Sequence, residues 1–478
     1  MTATVVVAGG GPVGLMLAAE LRLADVPVLV VEPKARIEEH SAGMAVHGRT
    51  LQLLERRGLA DELRAQGMFA WPRTPFGLLW LDISDAGPEE LTYGIPQWRT
   101  ETVLERRAVE LGAEVRRGHR VVAFRQDADG VTVTVRATDG AEQEVRASYL
   151  VGCDGADSEV RALAGIGQAD HPTSAYRGVF GDVELVEGEQ FDAGLHDDGV
   201  FGAIPVAPGV LRFMTIEWGS RPEPADGSVT EDDLVAAVER VTGTAPKLRG
   251  TGFVARFGRQ STVADRFRDG RVFLAGDAAH VSFVSGTQGL NAGLQDAANL
   301  GWKLAAAVTD RAPEGLLDTY EAERRPVALR ACDHARAQMA LMHPLSKVGP
   351  LRDLLDRMLR IGEAGRLLLR MPTLARYPEP GPGDHPLIGE PVPNYPLLTE
   401  QGETTVARAM ASGRALLVSS ADRSPAAELP DGVGAVRAKP LQEVDADFLL
   451  VRPDGHVAYA GNDSDALATA LRTWFGAA

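Results

Sequence analysis

The sequence predicts an α/β fold with a Rossmann-like parallel sheet, an antiparallel sheet inserted in mid-chain and a small third unit. A glycine turn at Gly9–Gly14 joins the apolar run Val5–Ala8 to apolar residues of helical spacing at Leu15–Leu23. Short strand and turn patterns, such as Val200–Val206 and Val210–Trp218, replace this order over residues 172–268. Prolines and glycines then cluster from residue 377, ahead of a last group of short strand patterns.

The glycine turn is typical of a strand–turn–helix unit that binds a nucleotide. Gly9, Gly11 and Gly14 permit a tight turn, and the bare helix start that follows, at Pro12, offers N–H groups to a pyrophosphate. Glu32 ends a second apolar run about twenty residues further on, where a carboxylate accepts hydrogen bonds from an adenosine ribose. A tight turn beside an exposed acid is the competing interpretation.

Two later segments extend this pattern. An alternation at residues 121–145 leads into the strand candidate Tyr149–Cys153, and the chain returns to the same sheet at Arg271–Leu274. The second strand is followed by an acid, a second glycine-rich turn at Gly286–Asn291 and a helix predicted over Gly289–Ala307. Together with the first turn, these segments predict one long flavin nucleotide, held by sites far apart in the sequence.

The three motifs, in this order, resemble those of the FAD-dependent aromatic hydroxylases, which are single-component flavoprotein monooxygenases. The resemblance covers essentially the whole chain and is strongest to the branch that acts on aromatic polyketides and rifamycin-like antibiotics. It implies that the Asp154–Gly155 pair lies between FAD and the nicotinamide path, and that Gln97 lies near the flavin. Arg49 lies at a position where the resembled family also has an arginine. The FAD-binding residues that it implies are Gly9, Gly11, Pro12, Gly14, Glu32, Gln97, Asp154, Gly276, Asp277, Gly286, Gln288, Gly289, Leu290 and Asn291.

The same resemblance suggests how the chain divides into domains. Residues 1–171 form the first part of an FAD-binding domain, residues 172–268 a substrate domain, and residues 269–376 the second part with its helices. A linker follows at 377–394. Residues 395–478 resemble a thioredoxin-like C-terminal domain that has no cysteine, so we expect a role in packing or oligomerisation there and not thiol exchange.

Composition favours a small organic substrate. The formal net charge of −17 argues against nucleic acid or an anionic membrane as a partner. The two cysteines, Cys153 and Cys332, provide neither a disulfide framework nor metal-ligand spacing. No apolar run is long enough to span a bilayer, and the first apolar run leads directly into the glycine turn, so we expect a cytoplasmic protein. Dimers are common in the resembled family, so a homodimer is one of the oligomeric states left open.

In the resembled family, NADPH or NADH reduces the flavin and one oxygen atom of O₂ passes to an electron-rich aromatic carbon. This chain departs from the family at two places. It has Ser41-Ala42-Gly43 where the family usually has an arginine near the pyrophosphate. It also has Val284 and Thr287 where a proline and a glycine usually line the reactive face of the flavin.

These departures leave more than one function open. The first hypothesis is an FAD- and NAD(P)H-dependent monooxygenase that hydroxylates, or inserts oxygen into, a polycyclic polyketide. The alternative is a redox-neutral [4+2] cyclase of a polyketide polyene, in which FAD is structural and the protein supplies shape. The third hypothesis is a flavoprotein that binds a ligand but does not catalyse a reaction. His280 and His47 are further candidates: His280 either caps a turn or approaches the flavin, and His47 either lines the substrate channel or lies at the surface.

Overall fold

Six strands, five of them parallel, form the main sheet of the protein, which we describe from a computed structural model. The structure describes residues 5–40, 43–71, 73–81, 83, 86–171, 176–219, 229–258, 261–283, 288–370, 376–378, 381–423, 428–439 and 444–476. The helices are α1 (Pro12–Leu23), α2 (Gly48–Glu55), α3 (Ala60–Ala65), α4 (Gln97–Glu110), α5 (Glu159–Leu163), α6 (Glu231–Thr242), α7 (Gln288–Val308), α8 (Asp318–Ala340), α9 (Leu345–Leu359), α10 (Gly362–Arg370), α11 (Val406–Ala409) and α12 (Ser464–Phe475).

The strands, in chain order, are β1 (Val5–Ala8), β2 (Val28–Glu32), β3 (Ala45–His47), β4 (Phe69–Ala70), β5 (Thr74–Phe76), β6 (Leu79–Leu81), β7 (Thr92–Gly94), β8 (Glu114–Arg117), β9 (His119–Gln126), β10 (Val131–Ala137), β11 (Glu142–Ala147), β12 (Tyr149–Gly152), β13 (Gln168–His171), β14 (Tyr176–Leu185), β15 (Gly194–Leu195), β16 (Gly199–Ala207), β17 (Val210–Trp218), β18 (Leu248–Phe257), β19 (Ser261–Ala264), β20 (Arg268–Asp269), β21 (Val272–Leu274), β22 (His280–Val281), β23 (Pro396–Thr399), β24 (Gly402–Thr405), β25 (Ala415–Ser420), β26 (Val433–Ala438), β27 (Phe448–Val451) and β28 (Val457–Gly461). A short 3₁₀ turn covers Gly276–Ala278.

The main sheet has the strand order β20-β21-β12-β1-β2-β8, and β20 alone of the six is antiparallel. Its central strands are buried on both faces, as continuous valine and leucine runs predict. Val7 pairs with Val30 on one side and Val151 on the other, so the carboxyl ends of β2, β1 and β12 lie at one edge. The long helix α7 packs directly against α1.

The alternation at 121–145 forms three antiparallel strands, β9, β10 and β11. The middle of the chain forms a five-stranded antiparallel sheet of order β15-β16-β17-β14-β18, as its pattern predicts. Helix α6 covers one face of it, with Phe201, Phe213 and Leu234 in the shared core. Thr230 and Asp233 cap the start of α6 reciprocally.

The last part of the chain forms a four-stranded sheet of order β26-β25-β27-β28. Strands β25 and β26 are parallel, and the pairs β25–β27 and β27–β28 are antiparallel. Buried residues lie on both faces of this sheet, and one of the two clusters joins it to α12 and to Trp302 of α7. The described part of the proline-rich segment before it is packed, since Tyr377 is buried and stacks on His456 at 3.9 Å between ring centroids.

Among the described helices, none is long and apolar enough to cross a membrane. In the same ranges, no group of three or more His, Cys, Asp or Glu side chains is placed to hold a metal ion.

Candidate functional site

Four of the motifs predicted from sequence meet at the carboxyl edge of the main sheet. Strands β21, β12, β1 and β2 are neighbours and run parallel, so the residues that follow them lie side by side. Gly9 follows β1, Glu32 ends β2, Asp154 lies two residues beyond β12, and Gly276 lies two residues beyond β21. This edge is where open α/β sheets bind ligands.

The first turn requires glycine for steric reasons. Gly9 has a φ of +105°, and a Cβ on it would lie 2.2 Å from the carbonyl oxygen of Cys153. A Cβ on Gly14 would lie 2.0 Å from the carbonyl oxygen of Gly9. The turn is therefore packed tightly between its own helix and β12, with no room for a side chain.

The start of α1 is open, in contrast. Gly11 is its N-cap residue and provides no side-chain cap, and Pro12 occupies the first turn. No described atom lies within 4 Å of a Cβ built on Gly11. The space beside Gly11 is therefore open, and a helix start without a side-chain cap fits the pyrophosphate of a dinucleotide.

Glu32 is buried and connects the end of β2 to the glycine turn. Its Oε2 atom accepts a hydrogen bond from the Gly10 N–H at 2.6 Å, and its Oε1 atom accepts one from the Lys34 N–H at 2.9 Å. Gly10 lies against the same side chain, because a Cβ on it would be 2.8 Å from the Glu32 Cβ. The carboxylate is held in one orientation beside the turn, where an adenosine ribose would lie.

Asp154 has a local structural role in addition to its place at the edge. Its Oδ1 atom accepts a hydrogen bond from the Ser158 hydroxyl at 2.5 Å, and its Oδ2 atom accepts one from the Val160 N–H at 3.0 Å. Burial raises the pKa of Asp154, and these hydrogen bonds oppose the rise. Asp154 therefore fixes the loop that leads into α5.

The Gly276–Asp277 pair lies in the 3₁₀ turn between β21 and α7. The Asp277 side chain is exposed, and its Oδ1 atom lies 3.5 Å from a Cβ built on Gly289, in the first turn of α7. A Cβ on Gly276 would lie 2.9 Å from Val13 Cγ2, and one on Gly293 would lie 2.6 Å from the same atom. The starts of α1 and α7 and the acidic turn are consequently in direct contact.

The other predicted residues lie around the start of α7. Asn291 joins α7 to β3, because its Oδ1 atom accepts a hydrogen bond from the His47 N–H at 2.7 Å and its Nδ2 atom donates one to the Ala45 carbonyl at 3.2 Å. Gln288 is buried, and Leu290 is half-buried against the main core. The Gln97 N–H, at the start of α4, donates to the Gly43 carbonyl at 2.9 Å. Gly286 lies outside the described residues, as do the departures at Ala42, Val284 and Thr287.

The sequence reasoning did not assign a role to Asp296, which is fully buried below the acidic turn. Its Oδ2 atom accepts hydrogen bonds from the Gly276 N–H at 3.1 Å and from His280 Nε2 at 2.6 Å. Its Oδ1 atom accepts one from Arg324 Nε at 2.6 Å. Burial disfavours the charged carboxylate, but the charges of His280 and Arg324 outweigh this and lower the pKa of Asp296 to about 2.

The sequence left open whether His280 caps a turn or approaches the flavin, and this ion cluster shows its position. The imidazole is buried and paired with Asp296, so it supports the acidic turn from below. His47 lines a small recess next to Gln288. An acid within the apolar pattern of α7 was the sequence signal for Asp296, but Arg324 lies 28 residues away and nothing in the sequence pairs the two.

The Cys153 thiol, which lies at this edge, is not suited to act as a nucleophile. Burial raises the pKa of the Cys153 thiol well above its usual value, so the thiol stays protonated. The open helix start, the fixed Glu32 carboxylate and the exposed Asp277 instead fit an extended dinucleotide, which would supply the chemistry.

Comparison with known proteins agrees with this geometry. A model of the FAD binding domain matches residues 2–335, and a model of the C-terminal part of aromatic-ring hydroxylases matches residues 385–478. The 12-dehydrotetracycline 5-monooxygenase/anhydrotetracycline 6-monooxygenase of Streptomyces rimosus is 41% identical, over 99% of this chain and 98% of the relative. The dialkyldecalin synthase of Streptomyces rugosporus is 40% identical, over the full length of both chains.

Solved structures show the same two kinds of relative. The anhydrotetracycline hydroxylase from Streptomyces rimosus superposes with a TM-score of 0.92 at 40% identity, covering 100% of this chain and 99% of the other. A Diels-Alderase of pyrroindomycin biosynthesis superposes with a TM-score of 0.87 at 38% identity, covering 100% of both chains. The chain therefore belongs to the FAD-binding aromatic-ring hydroxylase family, whose members among its relatives include monooxygenases and a Diels-Alderase.

Proposed function

We propose that this protein is an FAD-dependent monooxygenase that uses NADPH or NADH and O₂ to oxidise a polycyclic polyketide. The observation that carries this proposal is the meeting of the glycine turn, Glu32 and the Gly276–Asp277 pair at one sheet edge, beside the open start of α1. Relatives that hydroxylate anhydrotetracycline, or are named for rifampicin, support the substrate class.

FAD, when bound, would supply the redox chemistry that links oxidation of a reduced nicotinamide to transfer of one oxygen atom of O₂ to an aromatic carbon. In our proposal, the α1 N-terminus stabilises the pyrophosphate charge and Glu32 binds the adenosine ribose. Asp277 binds the ribityl and pyrophosphate region. Asp296 keeps the Gly276 N–H, and with it the turn, in place.

The N-terminus of α7 would also act on the bound flavin. A helix of 21 residues that begins at Gln288 directs its dipole and its first N–H groups toward its start. Negative charge near that end is stabilised, which favours reduced flavin. Gln288, Gly289, Leu290 and Asn291 would form this end of the cofactor site, with Gln97 and Asp154 at its borders.

We further propose that the FAD-binding domain comprises residues 1–171 and 269–376, with the substrate domain inserted at 172–268 and a linker at 377–394. The segment 395–478 would be a thioredoxin-like domain. The order β26-β25-β27-β28, with one parallel pair and a closing helix, supports that assignment. Both cysteines lie before this segment, so its role would be packing, in a cytoplasmic protein that works alone or as a homodimer.

An isotope experiment tests the proposed reaction. The purified protein, with its FAD content measured from the visible spectrum, is incubated with NADPH, ¹⁸O₂ and either anhydrotetracycline or rifampicin. The expected product carries one ¹⁸O atom and forms with consumption of NADPH. If FAD is bound but neither compound, nor a wider set of polycyclic phenols, gains ¹⁸O, the monooxygenase proposal is wrong.

A redox-neutral [4+2] cyclase is the second candidate, and a specific observation favours it. The dialkyldecalin synthase is nearly as similar to this chain as the tetracycline monooxygenase, at 40% against 41% identity. In that case FAD would be a wall of the cavity, and loss of the arginine at Ala42 and of the proline at Val284 would carry no penalty. An activity that needs bound FAD but no reductant would support this candidate.

A further inference from the structure

A small cavity beside the C-terminal sheet is separate from the proposed flavin site. It has a volume of about 20 Å³, which is room for one water-sized species. Residues of α2, of α7 and of the turn between β27 and β28 line it, among them Arg49, Arg56, Gln295, Ala298, Asp454 and His456. Gln295 and Ala298 lie about one and two helical turns beyond Asn291, so the cavity is away from the flavin end of α7.

Arg56 brings a positive charge into this part of the interior. It is the C-cap residue of α2 and is only 4% exposed. Its guanidinium lies against Gly455, where a Cβ would be 2.5 Å from the Arg56 Cζ atom. In the part of the chain that the structure describes, the Arg56 Nε atom forms no hydrogen bond and the nearby carboxylates are paired with other cations.

The guanidinium of Arg56 stays charged in these surroundings. Burial and the positive charge of Arg57 lower the pKa of Arg56 to about 10, while the negative charge of Asp454 opposes the shift. A pKa near 10 still leaves the group protonated near pH 7. Loss of the proton therefore does not relieve the unfavourable burial of this charge.

The neighbouring buried carboxylates do not supply the missing anion. Glu20 accepts from Nε and Nη2 of Arg57, at 2.5 and 2.8 Å. Glu323 and Asp454 both accept from Arg452, at 2.8 and 2.5 Å. Among the described buried ions between the C-terminal sheet and α1, α2, α7 and α8, the cations exceed the anions by one: Arg56, Arg57, Lys303 and Arg452 against Glu20, Glu323 and Asp454.

A small anion fits the cavity better than a water molecule does. Water would accept a hydrogen bond from Arg56 but would leave its charge uncompensated, whereas a chloride ion accepts from N–H donors and also carries the missing charge. Arg49, the second arginine of the lining, adds to the positive potential. Phosphate and sulfate are too large for a cavity with room for one water-sized species.

We propose that this cavity binds one chloride ion, held by the Arg56 guanidinium between α2, α7 and the turn that contains Asp454. The ion would balance the charge of the buried interface and so stabilise the contact of the C-terminal sheet with α2. This inference goes beyond the proposed function and holds equally for a monooxygenase and for a cyclase.

Thermal unfolding of the FAD-loaded protein tests the binding of chloride. The unfolding temperature is measured while sodium chloride replaces sodium gluconate at constant ionic strength, because gluconate is too large for the cavity. We expect the unfolding temperature to rise with the logarithm of the chloride concentration once this exceeds the dissociation constant, as for any ligand that binds the folded state alone. An unfolding temperature that is the same in chloride and in gluconate would overturn the proposal.

A pair of arginine variants assigns the effect to the cavity. Arg56→Met keeps an unbranched apolar side chain but removes the charge. We expect it to weaken chloride binding by roughly 10- to 100-fold, the effect of one charge-assisted hydrogen bond. Arg472→Met, at an exposed position of α12, is the control and should respond to chloride as the wild type does. Equal responses of the two FAD-loaded variants would show that Arg56 does not hold the ion.

Anomalous diffraction locates the ion in the wild-type protein, whether or not Arg56→Met folds. Crystals soaked in sodium bromide should show an anomalous peak in the cavity, within hydrogen-bond distance of the Arg56 guanidinium. A cavity that contains only water under these conditions would overturn the proposal. Neither result would bear on the proposed function, which is tested by bound FAD and by ¹⁸O transfer.

Discussion

Two aspartates on opposite sides of the acidic turn show how burial decides the part that a residue plays. Asp277 is exposed, and its Oδ1 atom lies close to Gly289 at the start of α7. Asp296 is fully buried, and its two oxygens are occupied by Gly276, His280 and Arg324. The first residue suits cofactor binding and the second suits support of the turn.

Replacement of Asp277 by alanine should release FAD without unfolding the protein. A lost charge-assisted hydrogen bond of about 1.5–3 kcal/mol corresponds to roughly 10- to 100-fold weaker FAD binding. The measurement is the FAD dissociation constant from flavin fluorescence, with the urea midpoint as a check on folding. Glu314→Ala, another exposed acid, is the control. A full complement of FAD in Asp277→Ala would remove Asp277 from the cofactor site.

Asp296→Asn, unlike Asp277→Ala, should destabilise the fold. The amide leaves the fully buried Arg324 guanidinium without its anion, which costs about 3–5 kcal/mol of unfolding free energy. The loss of unfolding free energy is measured by urea denaturation. Asp333→Asn, which breaks an exposed pair with Arg336 on α8, should change stability by less than about 0.5 kcal/mol. Equal stability of the two variants would contradict the supporting role of Asp296.

At the scale of elements, the site depends on how closely three of them approach. Val13 at the start of α1 contacts the Gly276 turn and Gly293 of α7, and Gly301 of α7 lies against Glu20 of α1. The glycine spacing in the sequence predicted the turns that border these elements. It did not predict the close approach of α7 to α1, because that contact joins residues about 280 positions apart and depends on tertiary packing.

Sequence reasoning found the features that depend on local patterns and missed those that depend on tertiary packing. Local strand–turn–helix patterns correctly predicted the edge where Gly9, Glu32 and Gly276 meet, since each motif adjoins a strand of its own. The pairing of Asp296 with Arg324 arises only when α7 and α8 pack together. Polar residues of this kind look like ordinary surface residues of a helix until the fold buries them.

A methyl group at Gly293 tests the close approach of α7. The added Cβ would lie 2.6 Å from Val13 Cγ2 and 3.1 Å from Gly276 Cα, so α7 must move away from the turn. We expect Gly293→Ala to lose about 1–3 kcal/mol of stability and to bind FAD more weakly, although alanine favours helix. Gly365→Ala in α10 meets only an ordinary contact at 3.5 Å and should be neutral or stabilising. Similar behaviour of the two variants, in thermal unfolding and FAD titration, would refute the packing argument.

At the scale of the whole molecule, a buried ion network joins the C-terminal sheet to helices α7 and α8. Arg452 donates to both oxygens of Glu323 on α8, at 2.9 and 2.8 Å, and to Asp454 at 2.5 Å. Lys303 of α7 donates to Glu323 at 2.7 Å. The Arg452 guanidinium also lies 4.3 Å from the ring centroid of Trp474 on α12. These hydrogen bonds and ion pairs link the C-terminal sheet to α7 and α8.

We therefore expect the chain to unfold in one cooperative transition. Release of FAD and exposure of Trp302 and Trp474 should coincide in urea, as followed by flavin and tryptophan fluorescence. Arg452→Leu should lower the unfolding free energy by about 3–5 kcal/mol, because it leaves buried carboxylates without their partner. Arg472→Leu, at an exposed position of α12, should have little effect. Two separate transitions in the wild-type protein would show that the C-terminal segment unfolds on its own.

In the proposed function, FAD undergoes a redox cycle in this protein. The most direct test is anaerobic titration of the FAD-loaded protein with NADPH and then NADH, with anhydrotetracycline present, followed at the flavin absorption band. We predict that the oxidised flavin spectrum bleaches and that it returns when air is admitted. A flavin that stays oxidised with both reductants, in a protein whose activity requires FAD, would contradict the claim and favour the redox-neutral cyclase.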